Sequence, residues 1–320
     1  MGSVVVAGSY NAGLTVYGDR LPTAGETILG RRFEAGPGGK GANQAIGIAR
    51  LGGDVVFATK VGEDIFGAEA RATLLAEGLP PHGILVGAGS TGVALILVDA
   101  SGNNAISVAP GANAELAAAD VLQSLGPELE RADYIVCQLE CPLDLALGLA
   151  SWARAHGKQA VLNPAPAQSI HPESLGLFDV LTPNEGELAA LANALGVEGG
   201  SVEVQARALV DCGVRTVVAT LGDRGALRVS ADGTRSFDAY AVNAVDTTGA
   251  GDAFTAGLVH ALAAGKTMDY AVDEGCRAGA FCVTRRGVID GLATAAELEL
   301  AIPSRGAAPP DESRRTRTAG

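Results

Sequence analysis

The sequence predicts an α/β fold, a parallel sheet covered by helices on both faces with a small separate β-sheet beside it. Three observations carry this. Short β-branched runs alternate with alanine-rich stretches of helical spacing. The runs are apolar throughout, as strands buried on both faces are, instead of alternating apolar and polar. Two stretches break the rhythm, at 12–36 and 91–108, and carry the turn residues of antiparallel strands.

In chain order the first buried strand is Val4-Val5-Val6-Ala7. No basic segment precedes it, so it reads as a strand and not as a signal peptide. The first irregular stretch holds Thr15-Val16-Tyr17, Glu26-Thr27-Ile28-Leu29 and Arg32-Phe33-Glu34, separated by Gly and Pro. A helix is predicted at 41–52, the strand Val55-Val56-Phe57-Ala58 next, and a helix at 66–78. The second irregular stretch is a hairpin: Thr91 to Val98, a turn at Asp99-Ala100-Ser101-Gly102, and Ala105 to Val108. Together the two stretches predict a lid. Strands follow at Tyr134-Ile135-Val136, Ala160-Val161-Leu162, Val180-Leu181 and Val217-Val218-Ala219, with helices at 143–157, 184–195, 201–212, 250–264 and 269–284. Ala241 to Val245 also reads as strand-like. The expected organisation is one domain over 1–304 with the lid inserted, then a tail at 305–320 rich in Pro, Ser, Arg and Ala that reads as disordered.

The chain has 320 residues, 48% of them hydrophobic and 18% charged, enough to build a sizeable core. Its net charge of -13 excludes a general basic surface for nucleic acid. Lysine occurs only at Lys40, Lys60, Lys158 and Lys266. No apolar run approaches a membrane span. The five cysteines lack metal-ligand spacing and read as reduced thiols of a cytoplasmic protein.

The 44 glycines cluster informatively. Gly36-Pro37-Gly38-Gly39-Lys40-Gly41 opens a helix, and such a turn lets backbone N–H groups approach an oxyanion or a sugar hydroxyl. It matches G-x-G-x-x-G, but so does Gly87 to Gly92. The first strand also lies too far upstream for a dinucleotide fingerprint. A phosphate-binding P-loop fails because position 34 is Glu. The second cluster is Asp246-Thr247-Thr248-Gly249-Ala250-Gly251-Asp252. Gly249, Ala250 and Gly251 are expected to present successive N–H groups at a helix N-terminus, an anion hole with the positive end of the macrodipole behind it. Asp252 in that first turn has two readings: a helix-stabilising acid, or a general base facing the anion. A carboxylate beside a phosphate repels it, so the second reading needs a nucleophile whose proton Asp252 takes.

With these residues the chain resembles the ribokinase-like (PfkB) family of sugar kinases, and its ribokinases in particular, from residue 4 to about 292. The resemblance rests on Gly38-Gly39-Lys40-Gly41-Ala42-Asn43-Gln44-Ala45 and Asp246 to Asp252. Intermediate motifs extend it: Thr91-Gly92-Val93-Ala94, Gln138-Leu139-Glu140, Asn163-Pro164-Ala165-Pro166, Thr182-Pro183-Asn184-Glu185-Gly186-Glu187 and Thr220-Leu221-Gly222-Asp223-Arg224-Gly225. It implies a doubly wound α/β sandwich with a β-lid that also joins a homodimer. It implies ATP and a small sugar as substrates, with transfer to a primary hydroxyl of a pentose, D-ribose first. Asn11, Gly39, Lys40, Asn43 and Glu140 would touch the sugar, and Asn184, Thr220, Leu221, Gly222 and Gly225 the nucleotide. Glu187 would order water around Mg²⁺, and Asp252 would be the base. A K⁺ ion would lie among Asp246, Thr248, Cys282, Arg285, Gly287 and Gly291, mostly on backbone oxygens.

Other readings stand beside these. Lys40 and Glu140 also read as solvated surface charges. Asn184 reads as an N-cap and Glu187 as its capping-box partner. Two positions depart from the family. Its sugar-binding Asp, two residues after the strand Asn, is Gly13 here, and Asp19 is six positions further on. Gly291 stands where ribokinases often have Ser. The Gly13 departure opens another sugar or a nucleoside as the acceptor. A sugar or nucleotide sensor and an NAD-dependent oxidoreductase are the remaining alternatives.

Overall fold

A computed structural model describes residues 2–305. Thirteen strands form two sheets: β1 (Ser3–Ala7), β2 (Asn11–Tyr17), β3 (Arg32–Gly38), β4 (Asp54–Val61), β5 (Ile84–Val86), β6 (Gly92–Val98), β7 (Asn104–Ala109), β8 (Ala132–Cys137), β9 (Gln159–Leu162), β10 (Val180–Leu181), β11 (Thr216–Thr220), β12 (Ala226–Ser230) and β13 (Gly233–Phe237). The large sheet runs β13-β12-β11-β10-β9-β8-β1-β4-β5, parallel from β5 to β11, with β12 and β13 antiparallel at one edge.

Strand β1 shows why the apolar runs do not alternate. Val4 and Val6 pack into the core under the helices Lys40–Arg50, Ala250–Ala263 and Met268–Cys282. Val5 and Ala7 pack into the opposite core, under the helices Leu143–Ala155, Glu185–Ala194 and Val202–Asp211. All four side chains are fully buried. A strand facing water on either side could not hold four such residues. The seven helices and six sheet strands expected from the sequence all form, with ends displaced by no more than three residues.

The lid is a four-stranded sheet, β3-β2-β6-β7. It begins at Asn11 and ends at Ala109, so it is slightly wider than the expected 12–36 and 91–108. The segment Glu26 to Leu29 forms no strand: Glu26 takes hydrogen bonds from Arg20 and Thr23 at the surface, and Leu29 is exposed. Register places Asn11, Gly13, Gly36 and Ala94 on one lid face, and Leu14, Val16, Phe33, Leu95 and Leu97 on the other. Asp64 ties the lid to the body. Its carboxylate caps the helix Ile65–Ala76 through Gly67 N (2.8 Å) and accepts from Thr91 N (2.8 Å) and Thr91 Oγ1 (2.7 Å). Such a cap is worth about 1 kcal/mol.

Three other expectations change. Ala241 to Val245 forms no strand; it runs along the surface, fastened where Val245 N donates to Val283 O. The pair β12–β13 and the short β5 join the sheet without having been expected. Arg305 belongs to the folded body, because it stacks on Tyr240 and hydrogen-bonds Asp273 and the carbonyls of Asp238 and Ala239. The rest of the expected disordered tail, from 306, lies outside the described residues.

Candidate active site

The sheet order reverses at β1: the chain moves outward to β4 and β5 on one side and returns through β8 on the other. A crevice opens at the carboxyl ends of strands at such a point. The candidate residues collect there, Ser9 and Asn11 after β1, Glu140 after β8, Asn163 after β9, Asn184 after β10 and Thr220 at the end of β11. The helix Lys40–Arg50 starts against the β1–β2 turn. A Cβ on Gly41 would stand 2.6 Å from Ser9 N, and Gly39, at φ +94°, leaves only 2.9 Å to Asn11 N. These glycines bring the helix N-terminus onto the strand ends.

At one end of the crevice, Glu140 Oε2 accepts from Ser9 Oγ (2.6 Å), Lys40 N (2.9 Å) and Asn11 Nδ2 (3.4 Å). Burial opposes the Lys40 charge, but the carboxylates of Asp252, Glu140 and Glu187 outweigh it and hold its pKa above the ordinary value. The field of these carboxylates therefore keeps Lys40 an ammonium although it is largely removed from water. Glu140 likewise anchors three groups of the crevice wall.

At the other end, Asp252 is 5% exposed. Its carboxylate accepts from Asn43 Nδ2 (2.8 Å) and Gln44 Nε2 (3.0 Å). Burial pushes its pKa up, and Lys40, Asn43 and Gln44 only partly offset that. An acid serving just to stabilise a helix terminus would face water; this one is a desolvated carboxylate within the field of Lys40. Asn43 Oδ1 is buried and has no partner among the described residues, so it offers an acceptor to a hydroxyl in the crevice.

The helix Ala250–Ala263 begins just before Asp252, capped by Gly249 at φ +82°. The amides of Gly249, Gly251 and Asp252 have no acceptor within the described residues, whereas Ala250 N reaches Thr247 O at 3.3 Å. Of the expected Gly249, Ala250 and Gly251 amides, the turn that precedes the helix thus engages that of Ala250, and Asp252 adds one without an acceptor among the described residues. A Cβ on Gly251 would stand in open space.

The pair Asn184–Glu187 forms the capping box that its spacing predicts. Asn184 Oδ1 accepts from Glu187 N (2.8 Å), and Glu187 returns the bond to Asn184 N and Nδ2 at 2.9 Å each. Burial raises the Glu187 pKa; its amide partner Asn184 and Lys40 act against this, and Asp252 adds to it. The capping carboxylate therefore also shares the field of the crevice. Thr220 lies beside Asn184, its N–H on Pro183 O (2.9 Å), and starts the turn that Leu221 N closes on Gly225 O (2.8 Å). Gly222 sits at φ +61° and Gly225 at φ +85°. One row of backbone thus joins the expected nucleotide residues.

The segment 245–248 is paired with 282–287. Asp246 accepts from Thr248 N (2.9 Å) and Gly287 N (3.1 Å). Burial works against its charge, but these bonds and Arg286 hold its carboxyl below the ordinary value. Cys282 Sγ donates to Thr248 O at 3.5 Å, and burial pushes that thiol up to about 12, so it stays protonated. The Gly291 departure has a steric cause: a Cβ there would lie 2.8 Å from Cys282 Sγ. Asp19 does not replace the carboxylate missing at Gly13, since it pairs with Arg31 at the lid surface.

Several residues of the site were not expected from the sequence. Gln44 holds Asp252 and is itself held by Gln138 Nε2 (2.6 Å), while its Nε2 also reaches Asn163 Oδ1 (3.1 Å). Ser9 and Asn113 are the others. The signal for the amides is their burial in otherwise apolar surroundings, visible only once the chain is folded. Among the described residues no three His, Cys, Asp or Glu side chains are placed to hold a metal, and no helix is long and apolar enough to cross a membrane.

The chain matches known proteins over most of its length. Residues 1–295 match the pfkB family carbohydrate kinase model. A ribokinase of Haemophilus influenzae is 36% identical over 92% of this chain and 96% of its own length. A deoxyribokinase of Salmonella typhi is 35% identical over 89% of this chain and 93% of its own. The crystal structure of a ribokinase from Thermotoga maritima superposes with a TM-score of 0.88 at 34% identity, covering 94% of this chain and 99% of that one. An Arabidopsis thaliana ribokinase complexed with ribose and ATP superposes at 0.83, 30% identical, covering 93% and 98%.

Proposed function

The chain belongs to the pfkB family of carbohydrate kinases and is an ATP-dependent sugar kinase; from that premise we propose that it transfers the γ-phosphoryl group of ATP to the primary hydroxyl of a pentose, D-ribose giving ribose 5-phosphate. The observation that carries the site is the buried Asp252 carboxylate beside a helix N-terminus with free amides. Asp252 takes the hydroxyl proton, and the amides of Gly249, Gly251 and Asp252 receive the charge that grows on the transferring group. Asn11, Asn43, Glu140 and Lys40 hold the sugar, with Asn43 Oδ1 as an acceptor already desolvated. Closure of the lid over the sugar keeps out the water that would otherwise hydrolyse ATP.

Residues Asn184, Thr220, Leu221, Gly222 and Gly225 line the nucleotide in this reading. Mg²⁺ fits a site without a protein cage, since it keeps waters and is carried largely by substrate phosphates; it would neutralise phosphate charge, and Glu187 would orient its water. K⁺ fits the joined segments 245–248 and 282–287, where Asp246 is held ionised, and backbone oxygens of Thr248, Arg285 and Gly287 would complete its shell. Turnover in K⁺ is expected to exceed that in a bulky organic cation several-fold, and equal rates would remove the ion from the site. The apolar lid face, with Phe33 60% and Leu95 55% exposed, suits a second copy of the chain; a monomer in sedimentation would overturn that. The five free cysteines suit the cytoplasm.

A second acceptor is favoured by one observation. Gly13 faces the same side as Asn11, between Gly36 and Ala94, so no polar side chain descends from the lid at that register position. A site with no acceptor for a given hydroxyl does not penalise its absence. On this reading 2-deoxyribose, another sugar or a nucleoside is phosphorylated comparably. A screen of ATP consumption over ribose, deoxyribose, ketoses and nucleosides decides: a clear ribose preference sinks the second reading, and no sugar turnover at all sinks the first.

A further inference from the structure

The four strands of the lid leave and re-enter the body at one place. The chain enters β2 at Tyr10–Asn11, enters β6 at Gly92, leaves β3 at Gly38–Gly39 and leaves β7 for the turn Gly111–Glu115. At their meeting point is the carboxamide of Asn113, 1% exposed. Its Oδ1 accepts from Tyr10 N (3.0 Å), and its Nδ2 donates to Tyr10 O (2.9 Å) and to Asn11 Oδ1 (2.9 Å). A Cβ on Gly92 would fall on Asn113 Nδ2 and Asn11 Oδ1, so the strand entering there must be glycine for this junction to close.

The two bonds to Tyr10 leave the Asn113 amide a single orientation, since a flip would set N–H against N–H and C=O against C=O. That orientation is passed on. Asn11 must turn its oxygen to Asn113, which leaves Asn11 Nδ2 facing Glu140 Oε2 and the crevice. The bond to Glu140 is long, 3.4 Å, so the donor is free to shift toward a substrate oxygen.

We propose that Asn113 is a positioning residue: it fixes the orientation of the Asn11 carboxamide and pins the lid pivot to it, so that sugar recognition and lid seating share one buried amide. This inference rests on the reading of Asn11 as a sugar contact. Asn113 touches no substrate itself, and its effect passes through Asn11.

The test measures KM and kcat with D-ribose and ATP for Asn113→Ala, Asn113→Asp, Asn11→Ala and the double variant Asn11→Ala/Asn113→Ala. The acid of Asn113→Asp keeps the acceptor for Tyr10 N but puts an oxygen against Asn11 Oδ1, turning the Asn11 amide the wrong way; it serves where the alanine variant fails to fold. The sugar KM is expected to rise about tenfold in Asn113→Ala and at least as much in Asn113→Asp, with kcat within about threefold and the ATP KM unchanged. In the double variant the sugar KM stays within about twofold of Asn11→Ala, because the two residues act as a unit. A raised KM in Asn11→Ala beside a native KM in Asn113→Asp, or full additivity in the double variant, overturns this inference alone. A native KM in Asn11→Ala overturns both it and the sugar site it rests on.

Discussion

Replacing Asp252 by Asn is expected to lower kcat by about 10²–10⁴ while ATP still binds with near-native affinity. The side chain keeps its shape, so the crevice keeps its volume, but the group that takes the acceptor's proton is gone. Of the two bonds from Asn43 and Gln44, the carboxamide oxygen retains one, and its nitrogen faces the other donor. The loss is therefore chemical, with a small local adjustment. The wild-type pH profile carries the same claim. Burial lifts the Asp252 pKa above the ordinary 3.8, Lys40 and the two amides oppose this in part, and the net direction is up. A base works when ionised, so kcat/KM falls as pH drops through that raised value, and the midpoint of the acid limb lies above 3.8. A coupled assay of ADP release with calorimetry of ATP binding checks the variant. Near-native turnover, or an acid limb at or below 3.8, would remove Asp252 from the role.

What could be read before folding follows from how local each signal is. The strand Val4 to Ala7 and the helix that follows Gly39 are encoded by neighbours in sequence. The Gly249–Asp252 turn is too, since a left-handed cap followed by a helix needs a glycine in place. By contrast, Ala241 to Val245 has the composition of a strand and no strand beside it to pair with. β12 and β13 are half-exposed, with arginines at Arg228 and Arg235 that hide the pattern, and they hold together through pairing and through Asp269, which reaches both arginines. Asn113 is the extreme case: its partners Tyr10 and Asn11 lie over a hundred residues away, and a single Asn in a polar turn carries no mark of burial.

The charge balance of -13 acquires a different meaning from the same geometry. The sequence from 306 holds three arginines against two acids, so residues 1–305 are more acidic still. On the proposed reading it still takes a phosphate, because backbone amides and a helix terminus supply positive potential without a basic surface. Lys40, one of only four lysines, stands within the field of three carboxylates there. An acidic surface repels nucleic acid along its length but does not reach into a crevice whose field is set by groups a few ångström away.

Gly249→Ala is expected to cut kcat about a hundredfold and to lower the melting temperature as well. Two costs act on the fold. Residue 249 sits at φ +82°, where an alanine is strained by about 1–3 kcal/mol, and its Cβ would stand 2.6 Å from Val288 Cγ1. Relief of either turns the cap, and the cap aims the amides of Gly249, Gly251 and Asp252. The catalytic loss must be separated from general damage, and Gly251→Ala separates it. Position 251 is helical, its Cβ meets open space, and alanine is favoured over glycine in a helix by roughly 0.5–1 kcal/mol. That variant is expected to melt at or above the wild-type temperature while turnover drops tenfold or more, since the methyl narrows the space over the free amides. Melting curves and steady-state kinetics on both variants decide the matter. If Gly251→Ala keeps full turnover, the space above it holds no transferring group; if Gly249→Ala melts early yet turns over normally, the cap is structural and the amides do not stabilise the reaction.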